Sequence, residues 1–131
     1  MTPELEALFA ATAILLIVLA VQGALTPVKQ GLKWGLGPRD EPRDLSVLQG
    51  RAARVVANHM EAMALFTPLA LIVHLGDLSS GLTAAGAWIF VAARALFALV
   101  YLMGVPVVRS LVWGVGVAGL LMVATPIVSA I

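Results

Sequence analysis

Two apolar segments without a charged side chain constrain what this chain can fold into. Ala7 to Val28 and Ser110 to Ile131 each run for 22 residues with no Asp, Glu, Lys or Arg. A helix that rises about 1.5 Å per residue needs about 20 such residues to cross a hydrocarbon core about 30 Å thick. Both segments are therefore predicted to be transmembrane helices.

The composition of the whole chain favours the same environment. Hydrophobic residues make up 61% of its 131 residues and charged residues 11%, against about 25% charged residues in an ordinary soluble domain. Because so short a chain cannot bury that much apolar surface in water, a soluble enzyme and a disordered chain are both excluded. The net charge of +1 gives no reason to expect nucleic acid as a partner. With no cysteine, the chain has no disulfide framework and no thiolate nucleophile of its own.

Two further segments are long enough to span a membrane, which brings the predicted helices to four. The predicted helices cover residues 5–28, 52–76, 82–103 and 106–130, within a single domain over residues 1–131. The turns that separate the last three helices are short, and short turns place neighbouring helices antiparallel. The predicted fold class is an all-α integral membrane bundle of four transmembrane helices, arranged up and down.

The basic residues predict how this bundle is oriented in the membrane. Six of the eight lie in or beside the polar loop at residues 29–50, and Arg109 follows the third helix. Basic residues are enriched in cytoplasmic loops. We therefore expect the loop at residues 29–50 to face the cytoplasm and both termini to lie on the non-cytoplasmic side.

The start of the second predicted helix carries a stripe of polar side chains. At 100° per residue, four of them fall within an arc of about 80°. These four are Arg51, Arg54, Asn58 and Glu61. Ionisable residues within a membrane are costly, and they normally face a bundle interior and mark a functional site. His59 points away from this stripe, and we expect it to face another subunit or the lipid headgroups.

The third and fourth predicted helices carry further polar residues. Arg94 and Tyr101 are seven residues apart and share one helix face, and Arg109 and Ser110 open the last helix. Counting the helical rise places Glu61 and Arg94 at similar depths, which predicts an ion pair between them. All of these side chains are expected to converge in the cytoplasmic half of the bundle.

Several guanidinium groups and one carboxylate complement a ligand that has two carboxylates and one amine. Glutathione is such a ligand, although another acidic peptide or an anionic lipid headgroup has charges that fit equally well. A cationic group beside a thiol raises the fraction present as thiolate. A stray histidine with no cysteine nearby does not make a metal site, and none is predicted.

Each polar residue also has a purely structural interpretation. Arg51 and Arg54 can anchor the helix by extending to lipid headgroups, and Asn58 can form a polar contact between helices. Tyr101 can belong to an interfacial aromatic belt. Glu61 and Arg94 can form an ion pair that binds no ligand.

The spacing R-x-x-R-x-x-x-N-x-x-E of the polar stripe resembles the MAPEG family, which includes microsomal glutathione transferases, leukotriene C4 synthase and microsomal prostaglandin E synthase. The similarity continues with Arg94 and Tyr101 in the third helix and with Arg109 and Ser110 at the start of the fourth. It covers most of the chain and is closest to small bacterial members. The chain departs from the pattern at Phe97, where eukaryotic members often have His or Tyr.

The resemblance implies a homotrimer in the bacterial inner membrane, with glutathione bound as a co-substrate at the subunit interfaces. By this resemblance, one subunit would bind glutathione through Arg54, Asn58 and Glu61. The neighbouring subunit would line the site with three more residues, and Arg51 would lie nearby. Those three residues are Arg94, Tyr101 and Arg109.

The resemblance also implies an activity. Arg109 and Ser110 would stabilise the glutathione thiolate, which would act on lipophilic electrophiles or lipid hydroperoxides arriving from the bilayer. A non-catalytic binding or structural protein of the same fold is an alternative. A small four-helix transporter ranks third, because such transporters usually need a membrane-embedded acid in the first helix, and this one has none.

Overall fold

Helices account for 83% of the computed structural model, which describes residues 1–130. They are α1 (Pro3–Gln30), α2 (Leu32–Gly35), α3 (Val47–Leu75), α4 (Gly81–Met103) and α5 (Pro106–Ser129). Four of them, α1, α3, α4 and α5, are long and apolar enough to cross a membrane. The predicted fold class, an all-α bundle with four candidate spans, is confirmed.

Helix α3 begins at Val47, within residues 29–50, where the sequence predicts a loop. Its start is fixed by a capping box, in which the Gln49 backbone N–H donates to Ser46 Oγ at 3.2 Å. The Ser46 backbone N–H donates in return to Gln49 Oε1 at 2.9 Å. The spacing Ser-x-x-Gln is a known helix-start signal, so this boundary was readable from the sequence.

Hydrogen bonds hold the remaining loop against the end of α1. Gln30 Nε2 donates to the Asp44 carbonyl at 2.8 Å, and an Arg43 guanidinium nitrogen donates to the Gln30 carbonyl at 2.7 Å. Arg43 also stacks on the Trp34 ring of α2, 5.2 Å from its centroid. The loop is therefore folded back on the helix that precedes it.

Contacts at the two ends of the bundle define its up-and-down arrangement. Glu4 is fully buried and accepts hydrogen bonds from Ser79 Oγ at 2.9 Å and Thr83 Oγ1 at 2.5 Å. The start of α1 thus lies beside the turn that joins α3 to α4. At the opposite end, an Arg51 guanidinium nitrogen donates to the Leu102 carbonyl at 3.3 Å. The start of α3 therefore lies beside the end of α4.

The centre of the bundle is packed by aromatic and small side chains from all four long helices. The rings of Phe66 on α3 and Phe90 on α4 lie 4.3 Å apart between centroids. Ala7 and Ala11 of α1 and Val123 of α5 complete this buried cluster. The small alanine side chains let α1 approach α3 closely.

The backbones of α4 and α5 meet at a pair of glycines. A Cβ on Gly119 would lie 2.6 Å from the Gly86 carbonyl oxygen, and a Cβ on Gly86 would lie 2.7 Å from the Gly119 carbonyl oxygen. Real Cβ atoms do not approach backbone so closely. The two helices therefore need glycine at both positions to pack at this distance.

We expect Gly119→Ala to destabilise the bundle by about 1–3 kcal/mol, because the added methyl group forces α4 and α5 apart. The measurement is the Tm of the purified protein in detergent. Gly114→Ala is the matched control on the same helix, since a Cβ at Gly114 meets no atom within 4 Å. Equal Tm values for the two variants would contradict the close packing of α4 on α5.

Candidate functional site

The sequence predicts a site of eight polar residues. In the structure, all eight lie along one groove between α3, α4 and α5. Its central part is a cavity of about 390 Å³, within the range of roughly 300–1,000 Å³ typical of small-molecule sites. The residues around this central cavity are Arg54, Ala57, Asn58, Glu61, Phe97, Tyr101, Arg109, Ser110 and Trp113. Two smaller cavities share lining residues with this central cavity. We call the three cavities together the cationic groove.

The groove changes from polar to apolar along its length. At its polar end, Arg51 joins Arg54 and Arg109 around a cavity of about 170 Å³ near the turn between α4 and α5. At its apolar end, a cavity of about 150 Å³ is lined mainly by hydrophobic side chains. Arg94 also lines this cavity. Arg109 therefore lies at the level of Arg51 and Arg54.

Tyr101 brings two arginines together in the middle of the groove. Arg54 Nε donates a hydrogen bond to the Tyr101 hydroxyl at 2.9 Å. The Arg109 guanidinium lies over the face of the same ring, 4.9 Å from its centroid. An aromatic face attracts cations, so one side chain holds two like charges beside the same cavity.

Arg94 is 3% exposed and is held by two consecutive residues of α3. Its terminal nitrogen donates to Asn58 Oδ1 at 2.9 Å, and its Nε donates to His59 Nδ1 at 3.4 Å. The depth estimate was correct, since Glu61 and Arg94 line the same apolar end of the groove. Within residues 1–130, however, the predicted ion pair between them is not formed. Arg94 instead contacts the preceding turn of α3.

The predicted position of His59, facing another subunit or the lipid headgroups, is wrong. His59 is fully buried, and its Nε2 lies 2.9 Å from the Ala11 carbonyl oxygen. The angular position was correct, because His59 points away from the polar stripe. The surface that it meets is α1 of the same chain.

Residues that the resemblance assigns to two different subunits also lie close together within one chain. How the site is divided between subunits stays a prediction. Arg54 of α3 contacts Tyr101 of α4, and Asn58 of α3 contacts Arg94 of α4, all within one chain. Arg109 of α5 joins them over the Tyr101 ring. Because α3, α4 and α5 are neighbours in one subunit, a single chain brings all eight residues together.

A glycine at the end of α4 makes room for Arg51. Gly104 has φ = 79°, the left-handed conformation that glycine adopts most easily, and it ends the helix. A side chain at Gly104 would collide with the Arg51 guanidinium. The turn and the position of Arg51 therefore depend on the same residue.

Two aromatic residues complete the walls of the groove. Trp113 is not among the residues predicted from the sequence, yet it lines both the central cavity and the apolar end. It lies four residues after Arg109, a spacing that places both on one helix face. The centroid of the Phe97 ring lies 5.4 Å from the centroid of the Tyr101 ring and 4.6 Å from the Arg94 guanidinium carbon. Phe97 therefore supports both residues.

The fold and the groove together define an integral membrane protein of four candidate spans with a cationic site between three of its helices. A comparison with protein families matches residues 7–128, nearly the whole chain, to the MAPEG family. The chain belongs to the MAPEG family, which includes glutathione transferases and related membrane proteins. Searches of curated proteins and of solved structures find no significant match in either.

Proposed function

We propose that this protein is a glutathione-dependent membrane transferase or peroxidase that acts on lipophilic electrophiles or lipid hydroperoxides. The observation that carries the proposal is the charge of the groove. Half of the basic residues of the chain and one carboxylate, Glu61, surround a groove in a membrane protein that is otherwise poor in charge. Glutathione supplies two carboxylates and one ammonium group, which complement this set.

The positions within the groove support a specific arrangement of the ligand. In this arrangement Arg54 and Asn58 would bind a carboxylate of glutathione. Glu61, which is exposed and lines the same cavity, would bind its ammonium group. Arg94 is buried and donates its hydrogen bonds to neutral side chains. Because a buried and uncompensated charge is costly, an anionic ligand nearby would stabilise Arg94.

Arg109 and Ser110 are the residues proposed to stabilise the thiolate. Both lie in the first two turns of α5, which begins at Pro106, and the positive end of a helix favours an anion. A guanidinium beside the sulfur lowers the pKa of a thiol from about 8.5 and raises the thiolate fraction at neutral pH. The Ser110 hydroxyl can donate a hydrogen bond to the same sulfur.

The chemistry follows from a thiolate held beside an apolar cavity. In conjugation the sulfur forms a bond to an electrophilic carbon, and the leaving group departs with the electron pair of the bond that breaks. In the peroxidase reaction the O–O bond of a lipid hydroperoxide breaks. Two glutathione molecules are oxidised to the disulfide, and an alcohol and water are released. Leu65 at the apolar end is exposed on the outside of the bundle, where a lipophilic substrate can enter from the bilayer.

The test is an assay on the detergent-solubilised protein with glutathione and an aryl halide, and in parallel with a lipid hydroperoxide. We expect conjugate formation or hydroperoxide consumption that depends on the protein and on glutathione. Lys33→Ala removes an exposed charge outside the groove and should leave either rate unchanged. No turnover with either substrate would contradict the proposed activity.

We further propose that the protein assembles as a homotrimer. The support is its membership of a family for which this assembly is expected. In such an assembly glutathione would lie at the subunit interfaces, where a neighbouring subunit can cover the open side of each groove. Light scattering of the protein in detergent should give a mass of three copies, and a monomer mass would contradict the proposal.

The proposed location is the bacterial inner membrane, with both termini on the non-cytoplasmic side. The chain contains no cysteine, so single cysteines can report which side each loop faces. Asp40→Cys places a thiol in the loop between α1 and α3, and Gly81→Cys places one near the turn between α3 and α4. A membrane-impermeant maleimide applied outside the inner membrane should label Gly81→Cys and leave Asp40→Cys unlabelled until the membrane is broken. The reverse result would contradict the orientation.

A further inference from the structure

A chain of hydrogen bonds runs from α1 to the cationic groove through residues that lie behind it. It begins at the Ala11 carbonyl, passes through the His59 ring and the Arg94 guanidinium, and ends at the Asn58 side chain. The helix α1 lines none of the three cavities of the groove. His59 therefore links α1 to the site through hydrogen bonds.

The partners of His59 fix its protonation. The Ala11 carbonyl can only accept a hydrogen bond, so His59 Nε2 carries the hydrogen and donates it. Arg94 Nε can only donate, so His59 Nδ1 is the acceptor and carries no hydrogen. His59 is thus neutral, because an imidazolium would lose the bond from Arg94 and place a second positive charge against it.

The same reasoning fixes the amide of Asn58. Its contact with Arg94 is a donated guanidinium N–H, so the Asn58 atom at 2.9 Å is the acceptor Oδ1. The Asn58 amide nitrogen then points elsewhere. Because Asn58 lines both the central cavity and the apolar end, its N–H₂ group is available to an anionic group in the groove.

We propose that His59 is a positioning residue for glutathione binding: through Arg94 it holds the Asn58 amide with its N–H₂ group toward the ligand. The proposal rests on the proposed function. His59 is fully buried and Arg94 nearly so, which means that water cannot replace the lost acceptor. Without the His59 acceptor, an Arg94 N–H has no hydrogen-bond partner. Both Arg94 and the Asn58 amide then lose their fixed orientation. A ligand must then order them when it binds.

Two substitutions separate the two hydrogen bonds of His59. In His59→Asn the amide oxygen lies near the position of ring Nδ1, so the acceptor for Arg94 is kept and the donor to Ala11 is lost. In His59→Gln the amide nitrogen lies near the position of ring Nε2, so the donor to Ala11 is kept and the acceptor for Arg94 is lost. Both remove the ring, and because Asn is one methylene shorter than Gln, His59→Asn loses more packing. The Tm of each variant measures that loss separately from ligand binding.

The readouts are the Kd for glutathione by calorimetry, the KM and kcat of conjugation, and the Tm. We expect His59→Gln to raise Kd and KM by about tenfold, the equivalent of one lost hydrogen bond to a charged group. The kcat of this variant should stay within about twofold of wild type, because His59 does not contact the thiolate. His59→Asn keeps the acceptor for Arg94, so its Kd should stay within about threefold of wild type. Only loss of that acceptor is expected to raise Kd about tenfold.

The outcomes are distinguishable. Equal Kd values for the two variants, whether both unchanged or both raised with a lowered Tm, would overturn the positioning role and leave the proposed function intact. In an Asn58→Ala background, His59→Gln should cause no further loss of affinity, and additive losses would overturn the proposal. A wild-type protein that neither binds nor converts glutathione would overturn the proposed function and this inference with it.

Discussion

Arg109→Ala is expected to reduce kcat/KM for glutathione conjugation by about 100-fold or more, the usual cost of removing one group that stabilises a developing or bound anion. Arg109 is half-buried and lies on the face of the Tyr101 ring, so its removal should disturb the fold little. The loss should be greatest near neutral pH. At higher pH the thiol ionises without help, and the pH–rate profile of the variant should move to higher pH.

Two comparisons make the Arg109 result specific. Arg109→Lys keeps the positive charge and should retain part of the activity, because a lysine ammonium stabilises an anion without the planar geometry of arginine. Lys33→Ala removes a charge from the exposed loop and should behave as wild type. Unchanged activity of Arg109→Ala, or an unshifted pH profile, would exclude its role at the thiolate.

Glu61→Gln is expected to raise the Kd for glutathione by about 10- to 100-fold, because the uncharged amide cannot pair with the ammonium group of the ligand. Glu61 is exposed at the groove, and Arg94 donates its hydrogen bonds to Asn58 and His59. The Tm should therefore be unchanged. Calorimetry and thermal unfolding of the same sample measure both quantities.

A matched ligand and a matched residue sharpen the Glu61 experiment. A glutathione analogue that lacks the amino group should bind wild type and Glu61→Gln equally. Glu6→Gln neutralises an exposed carboxylate on α1 and should change neither quantity. A lowered Tm with unchanged affinity would instead assign Glu61 the structural role that its sequence position also allows.

The four spans were predictable because membrane thickness sets a length that apolar segments must reach, and all four segments reach it. The ends of the helices were harder to predict. The polar residues between α1 and α3 suggested an unbroken loop, although the Ser46 and Gln49 capping box marked the true start of α3. A short local signal of this kind is easily hidden within a charged segment.

The polar residues that line the groove were predictable from the sequence, whereas their contacts and the wall formed by Trp113 were not. Helical periodicity placed Arg54, Asn58 and Glu61 on one face of α3, and the structure brings them to one groove. Counting the helical rise gives a position along the membrane normal only. The choice between Glu61 and Asn58 as the partner of Arg94 depends on how α4 is rotated about its axis. In the same way, the burial of His59 depends on where α1 packs against α3. The sequence of one helix does not determine how it packs against another.

Calorimetric titration of the wild-type protein in detergent with glutathione tests the central claim most directly. We expect saturable binding at millimolar concentrations or below, with one site per subunit, because each chain carries one set of the eight polar residues. A non-catalytic protein of the same fold that binds glutathione would show this heat without turnover in the conjugation assay. The absence of saturable binding at millimolar glutathione would contradict the account.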